Sequence, residues 1–248
     1  MEFQDKTVVI TGGAGGIGRA AAEIMGRQGA SLFITDVGAE AGEEAAASWR
    51  EGGIPATFIR ADLTDPAEIR ALFRRVEEKA GCIDVLVTCA GISSLTRLPE
   101  ISPEEWDRVF AVNLRAAFFC CQEALRTMVE RKQGKIVTIA SAAAKIGGVA
   151  VGAHYSASKA GIICLTKSLA LYAAPFDINV NCVCPGPTET AMTDAWGEAI
   201  NTEFARKIPF KRYGTPEEIA EVIAFLASER ASYLTGETVD VNGGLVMD

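Results

Sequence analysis

The chain has 248 residues, 49% hydrophobic and 23% charged, with 32 acidic against 24 basic side chains and a net charge of −8. That balance suits one large α/β domain over residues 1–248, and its sign opposes attraction to nucleic acid or an anionic membrane surface, both of which need a basic face. Seven cysteines without a C-x-x-C pair suggest neither a disulfide framework nor a zinc site; with no apolar run long enough to span a bilayer and no secretory-type leader at Met1, the expected setting is cytoplasmic, with reduced, mostly buried thiols.

Short apolar runs rich in β-branched residues fall at 7–10, 31–35, 57–60, 85–88, 135–140, 179–183 and 237–241, separated by amphipathic stretches. Continuous apolar strands alternating with helices predict a doubly wound α/β sandwich, a seven-stranded parallel sheet covered on both faces. Cys182 and Cys184 would share one face of the sixth strand, and Cys120 and Cys121 lie in an apolar helix. Three helix starts, Asp65-Pro66-Ala67-Glu68, Ser102-Pro103-Glu104-Glu105 and Thr215-Pro216-Glu217-Glu218, combine an N-cap, a proline and a glutamate able to complete a capping box. Their acids are therefore assigned to helix ends rather than to chemistry. The second start opens a helix predicted from Pro103 to about Arg131, with Asn113 in its interior, where an amide among Ala111, Val112 and Leu114 is costly without partners.

Between the first strand and a helix over 20–28 runs Thr11-Gly12-Gly13-Ala14-Gly15-Gly16-Ile17-Gly18-Arg19. Strand, glycine turn and helix N-terminus together form a cradle for a pyrophosphate, because glycine lets the backbone approach and the helix end supplies N–H groups. The second strand ends at Asp36, about 20 residues on, where an acid reaches the ribose hydroxyls of a dinucleotide. A carboxylate there accepts from both hydroxyls and repels a 2′-phosphate, and Thr35-Asp36-Val37-Gly38 brings no cation, so NAD is favoured over NADP. The competing reading is that Asp36 only ends a strand at a polar turn. Asp62, closing the third strand, either accepts from the adenine amino group or leads into the next helix.

Tyr155 and Lys159 stand four residues apart on a predicted helix, hence on one face and about 5–6 Å apart at Cβ. A free phenol titrates near ~10, and a fixed ammonium favours the phenolate, which would make Tyr155 an acid/base near neutral pH. An isolated pair of this kind often shares a solvated face by chance. Here Ser141 also follows the strand at 135–140, at the carboxyl edge where open α/β sheets bind ligands.

Thr11-Gly12-x-x-x-Gly16-x-Gly18, Asp62, Ala90-Gly91, Asn113, Ser141, Tyr155-x-x-x-Lys159 and Pro185-Gly186 resemble the short-chain dehydrogenase/reductase family nearly end to end. Gly13, Gly15 and Gly18 also fit the general G-x-G-x-x-G pattern, but the family register favours Gly12, Gly16 and Gly18. The resemblance implies hydride exchange between a nicotinamide and an alcohol or carbonyl carbon, with no metal required. In it Tyr155 is the acid/base, Lys159 lowers its pKa and binds the nicotinamide ribose, Ser141 holds the reacting oxygen, and Asn113 positions water in a proton relay. Further cofactor contacts are implied for Gly15, Ile17, Leu63, Cys89, Ala90, Gly91, Pro185, Gly186, Thr188 and Thr190. One position departs: Cys89 stands where the family usually has asparagine, and a thiol cannot make the paired hydrogen bonds of an amide, which leaves the bracing of the central strands in question. A nucleophilic Cys89 would lack an evident base.

His154 adjoins Tyr155, but successive helical residues point about 100° apart, so it is expected on the surface or the pocket rim. The substrate pocket is expected between 92–98, 142–148 and a lid at 188–210 offering Met192, Trp196, Phe204 and Ile208, side chains that could instead pack onto the sheet. The expected reaction is hydride transfer between NAD(H) and a small-molecule secondary alcohol or ketone. The alternative is a 3-oxoacyl thioester reductase, with Arg97 or Lys145 meeting phosphate on the carrier arm. A nucleotide-sensing protein without turnover is a third reading, and a methyltransferase would leave the Tyr/Lys pair unexplained. In the family the helices equivalent to 102–131 and 154–173 pair between subunits, which implies a homotetramer through Phe118, Phe119, Ile163 and Leu171, with 243–248 at another interface.

Overall fold

The computed structural model describes residues 1–148 and 151–247; Asp248, the last residue of the expected domain and of its C-terminal segment, lies outside the described residues. In chain order the elements are β1 Thr7–Thr11, α1 Gly16–Arg27, β2 Ser31–Asp36, α2 Ala39–Glu51, β3 Ala56–Arg60, α3 Pro66–Ala80, β4 Val85–Thr88, α4 Pro103–Phe110, α5 Ala116–Arg131, β5 Gly134–Ile139, α6 Ala143–Ile146, α7 Ala153–Ala173, β6 Ile178–Pro185, α8 Ala191–Asp194, α9 Glu198–Lys207, α10 Pro216–Ala227 and β7 Thr238–Val241. The strands form one seven-stranded parallel sheet in the order β3-β2-β1-β4-β5-β6-β7.

Side chains alternate across the sheet and sort into two cores. Val8 and Ile10 of β1 join Val85 and Val87 of β4 under α1, α2 and α10, whereas Val9 and Leu86 face α3, α5 and α7 with Ile136. The order reverses between β1 and β4, whose register pairs Thr11 with Thr88, so the crevice expected at a topological switch point opens beyond these two residues.

Strand edges fall within two residues of the sequence reading, and β6 runs on to Pro185, so that Gly186 N–H donates to Val241 O at 2.9 Å. The long helix expected from Pro103 to Arg131 is broken: a π-helical stretch, Ala111–Arg115, separates α4 from α5. Such a widened turn forms where a side chain's bonds favour an extra residue in the ladder, and Asn113, buried at its centre, takes its partners outside the helix, as described below. Only the third predicted capping box closes, between Thr215 and Glu218. Glu68 instead accepts from Asp62 N–H at 2.8 Å, and Glu105 turns toward Ser94, Thr96 and His154. All seven cysteines are free; Cys120, Cys121, Cys182 and Cys184 are buried and Cys164 is exposed. Among the described residues no helix is long and apolar enough to cross a membrane.

Candidate active site

The glycine turn is built by close approach. Gly12 has φ +66° and a β-carbon on it would lie 2.8 Å from Ala90 N; Gly16 has φ +52°; a β-carbon on Gly18 would lie 2.3 Å from the Gly12 carbonyl oxygen. Gly15, by contrast, has open space around its β-position and contributes as the N-cap of α1. The register is thus Gly12, Gly16, Gly18, with helix α1 starting at Gly16 rather than at residue 20. This cradle of bare backbone facing a helix N-terminus fits a dinucleotide pyrophosphate. Because both atoms of the Gly18 clash would be rigid backbone, Gly18→Ala is expected to cost about 1–3 kcal/mol in urea unfolding and to weaken nicotinamide dinucleotide binding in a fluorescence titration.

A cleft runs from Asp36 along Gly12, Gly15, Gly16 and Ile17 to Ala90, Gly91 and Thr190. Asp36 Oδ1 accepts from Gly38 N–H at 3.3 Å. Asp62 and Leu63 line the same cleft, and Asp62 Oδ1 accepts from the Thr64 N–H at 2.9 Å and hydroxyl at 2.7 Å, bonds that hold its carboxyl below the usual range. Asp62 thus stands in the cleft wall while its segment leads into α3. Arg108 and Val112 complete this wall and were not anticipated; nothing local in their sequence announces it.

Beyond the cleft lies a reaction pocket lined by Cys89, Ser141, Tyr155, Lys159, Pro185, Gly186 and Thr188. Tyr155 sits in the first turn of α7 and is 8% exposed; Ser141 follows β5 and its hydroxyl accepts from Ala143 N–H at 3.2 Å. Burial raises the Tyr155 phenol above its ordinary value, with the Ser141 hydroxyl opposing the shift. The lowered pKa expected from Lys159 is therefore absent in the free chain. Lys159 is itself buried, which lowers its pKa, and its Nζ donates to Ile139 O at 2.8 Å. A group whose folded pKa is raised stabilises the fold fully below the unfolded value and loses that contribution as pH climbs through the folded one. Alkaline titration followed by phenolate absorbance should accordingly show Tyr155 ionising above ~10, with stability falling in that range.

Asn113 accepts from Ile92 N–H at 2.8 Å and donates from Nδ2 to Ile92 O and to Ser158 Oγ, each at 3.0 Å. Ser158 in turn donates to Tyr155 O at 2.7 Å. Both amide hydrogens are thus engaged in bracing the strand-end loop against α7.

His154 is fully buried, contrary to its expected place at the surface or rim, because Glu105 accepts from it. Cys89 is a protonated thiol, pushed up to about 11 by burial, and the bracing in question is carried instead by Thr11, whose hydroxyl accepts from Ala90 N–H at 3.1 Å. Of the expected pocket walls, 188–210 contributes Met192, Trp196 and Phe204, the last two edge-to-face at 6.3 Å, whereas Ile208 is buried elsewhere in the core. In the 92–98 segment Ile92 lines the dinucleotide cleft, while Ser94 and Thr96 bond to Glu105. Ile146, Val151 and Leu245 complete the apolar wall. Leu245 was missed, although the preceding Gly243 and Gly244, at φ +63° and +85°, mark the turn that brings it in. Lys145 donates to Asp240 at 2.5 Å and Arg97 is exposed. On the helices expected to pair between subunits Phe118 and Leu171 are exposed, and Phe119 and Ile163 are half-buried.

A phosphate cradle at the switch point, opening onto a half-buried serine and a buried tyrosine and lysine, defines a Rossmann-fold oxidoreductase. A family model described as enoyl-(acyl carrier protein) reductase matches residues 12–246. The chain is similar to 3-oxoacyl-[acyl-carrier-protein] reductases of Chlamydia pneumoniae, 37% identical over 97% of this chain and 96% of that one, and Aquifex aeolicus, 38% identical over 99% of each. It is also 37% identical to that of Escherichia coli over 100% of both chains. The crystal structure of 3-oxoacyl-[acyl-carrier protein] reductase from Brucella melitensis superposes with a TM-score of 0.94 at 34% identity, covering 100% of this chain and 93% of that one. The chain belongs to the short-chain dehydrogenase/reductase family.

Proposed function

We propose that the chain reduces the 3-oxo group of an acyl thioester at the expense of NADH. The observation that carries the reading is the junction of one cleft, with Asp36 at its ribose end, and one pocket holding Ser141, Tyr155 and Lys159. The similarity to 3-oxoacyl-[acyl-carrier-protein] reductases supports the thioester over the small ketone first expected. A bound nicotinamide would supply the hydride at the reacting carbon. Ser141 donates a hydrogen bond to the oxygen on which negative charge develops, and Tyr155 gives that oxygen its proton, so donors fixed in advance favour the transition state over the neutral carbonyl. Lys159 holds the nicotinamide ribose and, once a ligand excludes water, favours the phenolate left behind. Asn113 keeps Ile92 and the first turn of α7 in place.

Asp36 supports NAD(H) over NADP(H), a difference from what a phosphate-bearing cofactor would require. The segment 188–210 is proposed as the lid, residues 1–248 as one domain, and the assembly as a cytoplasmic homotetramer. A small secondary alcohol or ketone is the second reading: the pocket wall of Ile146, Val151, Met192, Trp196, Phe204 and Leu245 is apolar, and Lys145 is tied to Asp240 rather than turned to a carrier phosphate. Acetoacetyl thioesters on coenzyme A and on acyl carrier protein, and a panel of ketones and alcohols, each with NADH or NADPH (NAD or NADP for the alcohols), distinguish these by reduced-cofactor absorbance. Thioester turnover with NADH is the expected result. Ketone turnover alone would favour the second reading, and cofactor binding without any turnover would favour a nucleotide-sensing protein.

A further inference from the structure

The first turn of α7 carries Tyr155 yet has no side-chain N-cap, since Gly152 occupies that position. Uncapped first turns fray. The turn is held instead by His154, whose side chain is fully buried between three elements. Its Nε2 lies 3.2 Å from Glu105 Oε1 on α4, and the same oxygen accepts from Ser94 Oγ at 2.5 Å and Thr96 Oγ1 at 2.7 Å in the loop after β4. Those hydroxyls keep Glu105 ionised below the usual carboxylate range, so Nε2 is the donor. Nδ1 has no partner, so Nε2 carries the one side-chain bond of the ring. The backbone adds a second tie, Gly152 N–H to Ser94 O at 2.7 Å, and a β-carbon on Gly152 would lie 2.4 Å from His154 Cε1. Trp106 covers the imidazole, ring centroids 6.4 Å apart.

We infer that His154 and Glu105 are positioning residues that clamp the start of α7 to the loop after β4 and so fix where the Tyr155 hydroxyl stands. This rests on the oxidoreductase reading above. Neither side chain lines the reaction pocket; they act through the backbone of the residue next to Tyr155. The Asn113–Ser158–Tyr155 chain ties the same turn one step further on, so the clamp governs its open end.

The test compares His154→Leu with His154→Gln, whose amide can place an N–H near the position of Nε2. His154→Leu is expected to lower kcat about 10-fold for the folded enzyme, with the dinucleotide Kd within about twofold of wild type, because a reacting group is displaced and the cofactor site is not. His154→Gln should recover most of that loss. A folded Leu variant with kcat within about twofold of wild type, or a Gln variant no better than Leu, would overturn the inference. Should the Leu variant not fold, Ser94→Ala combined with Thr96→Val loosens the clamp from its other end and is judged by the same split between kcat and Kd. If wild type turns over no carbonyl, the oxidoreductase reading fails separately. The clamp is then judged by alkaline titration, in which His154→Leu should admit water and bring the Tyr155 phenol down toward ~10, and an unchanged titration would overturn it.

Discussion

Tyr155→Phe is expected to lower turnover at least ~10²-fold while leaving reduced-cofactor binding close to wild type, the contribution usual for a positioned general acid or base. The substitution removes one oxygen from a site whose shape is otherwise set by α7 and β5. The ring stays packed at 8% exposure, so the loss isolates proton transfer from folding. Burial keeps the phenol protonated in the free chain, which suits donation of a proton during carbonyl reduction. The reverse reaction needs the phenolate, and Lys159 with a bound cofactor must then outweigh burial. Single-turnover reduction and equilibrium binding of the cofactor check both halves, and full activity in the phenylalanine variant would remove Tyr155 from the proton-transfer role.

Asp36→Ala should weaken NADH binding about 10- to 100-fold and narrow the preference over NADPH, since hydrogen bonds to a charged acceptor contribute about 1.5–3 kcal/mol. The second half of the effect is electrostatic: on the proposed reading the carboxylate at the end of β2 would face an added 2′-phosphate, and its removal would relieve repulsion without adding a cation. Titration of both cofactors against both proteins measures the change. An unchanged ratio of affinities would take Asp36 out of the ribose site.

The parts legible in sequence are those whose signal is contiguous. Seven apolar runs, a strand–glycine–helix junction and a Tyr-x-x-x-Lys pair each lie within one short window, and the structure places the strands within two residues, with the helix after the glycine turn starting four residues earlier than read. What escaped depends on residues distant in the chain. The π-helical turn at Asn113 preserves an ordinary helical pattern and is set by Ile92, 21 residues away, and by Ser158. His154 looks like a polar residue at a helix start because Glu105, 49 residues earlier, is invisible from its neighbours. Glu105 was misread for the complementary reason: Ser102-x-x-Glu105 has the letters of a capping box, and only the fold shows its carboxylate turned the other way. The Tyr155 shift was misjudged because a neighbouring charge can be counted from spacing, whereas desolvation belongs to the whole fold.

The widened turn over Ala111–Arg115 accommodates an extra residue between two halves of one rod. Upstream, α4 packs against α7; downstream, α5 packs against α3. A π turn closes i→i+5 rather than i→i+4, so it holds one extra residue, and deleting a single residue from that stretch would regularise the hydrogen bonding and remove the wide turn that carries Asn113. The length of this stretch, as much as its composition, is therefore a condition for keeping the Asn113 amide on Ile92 at the wall of the cleft.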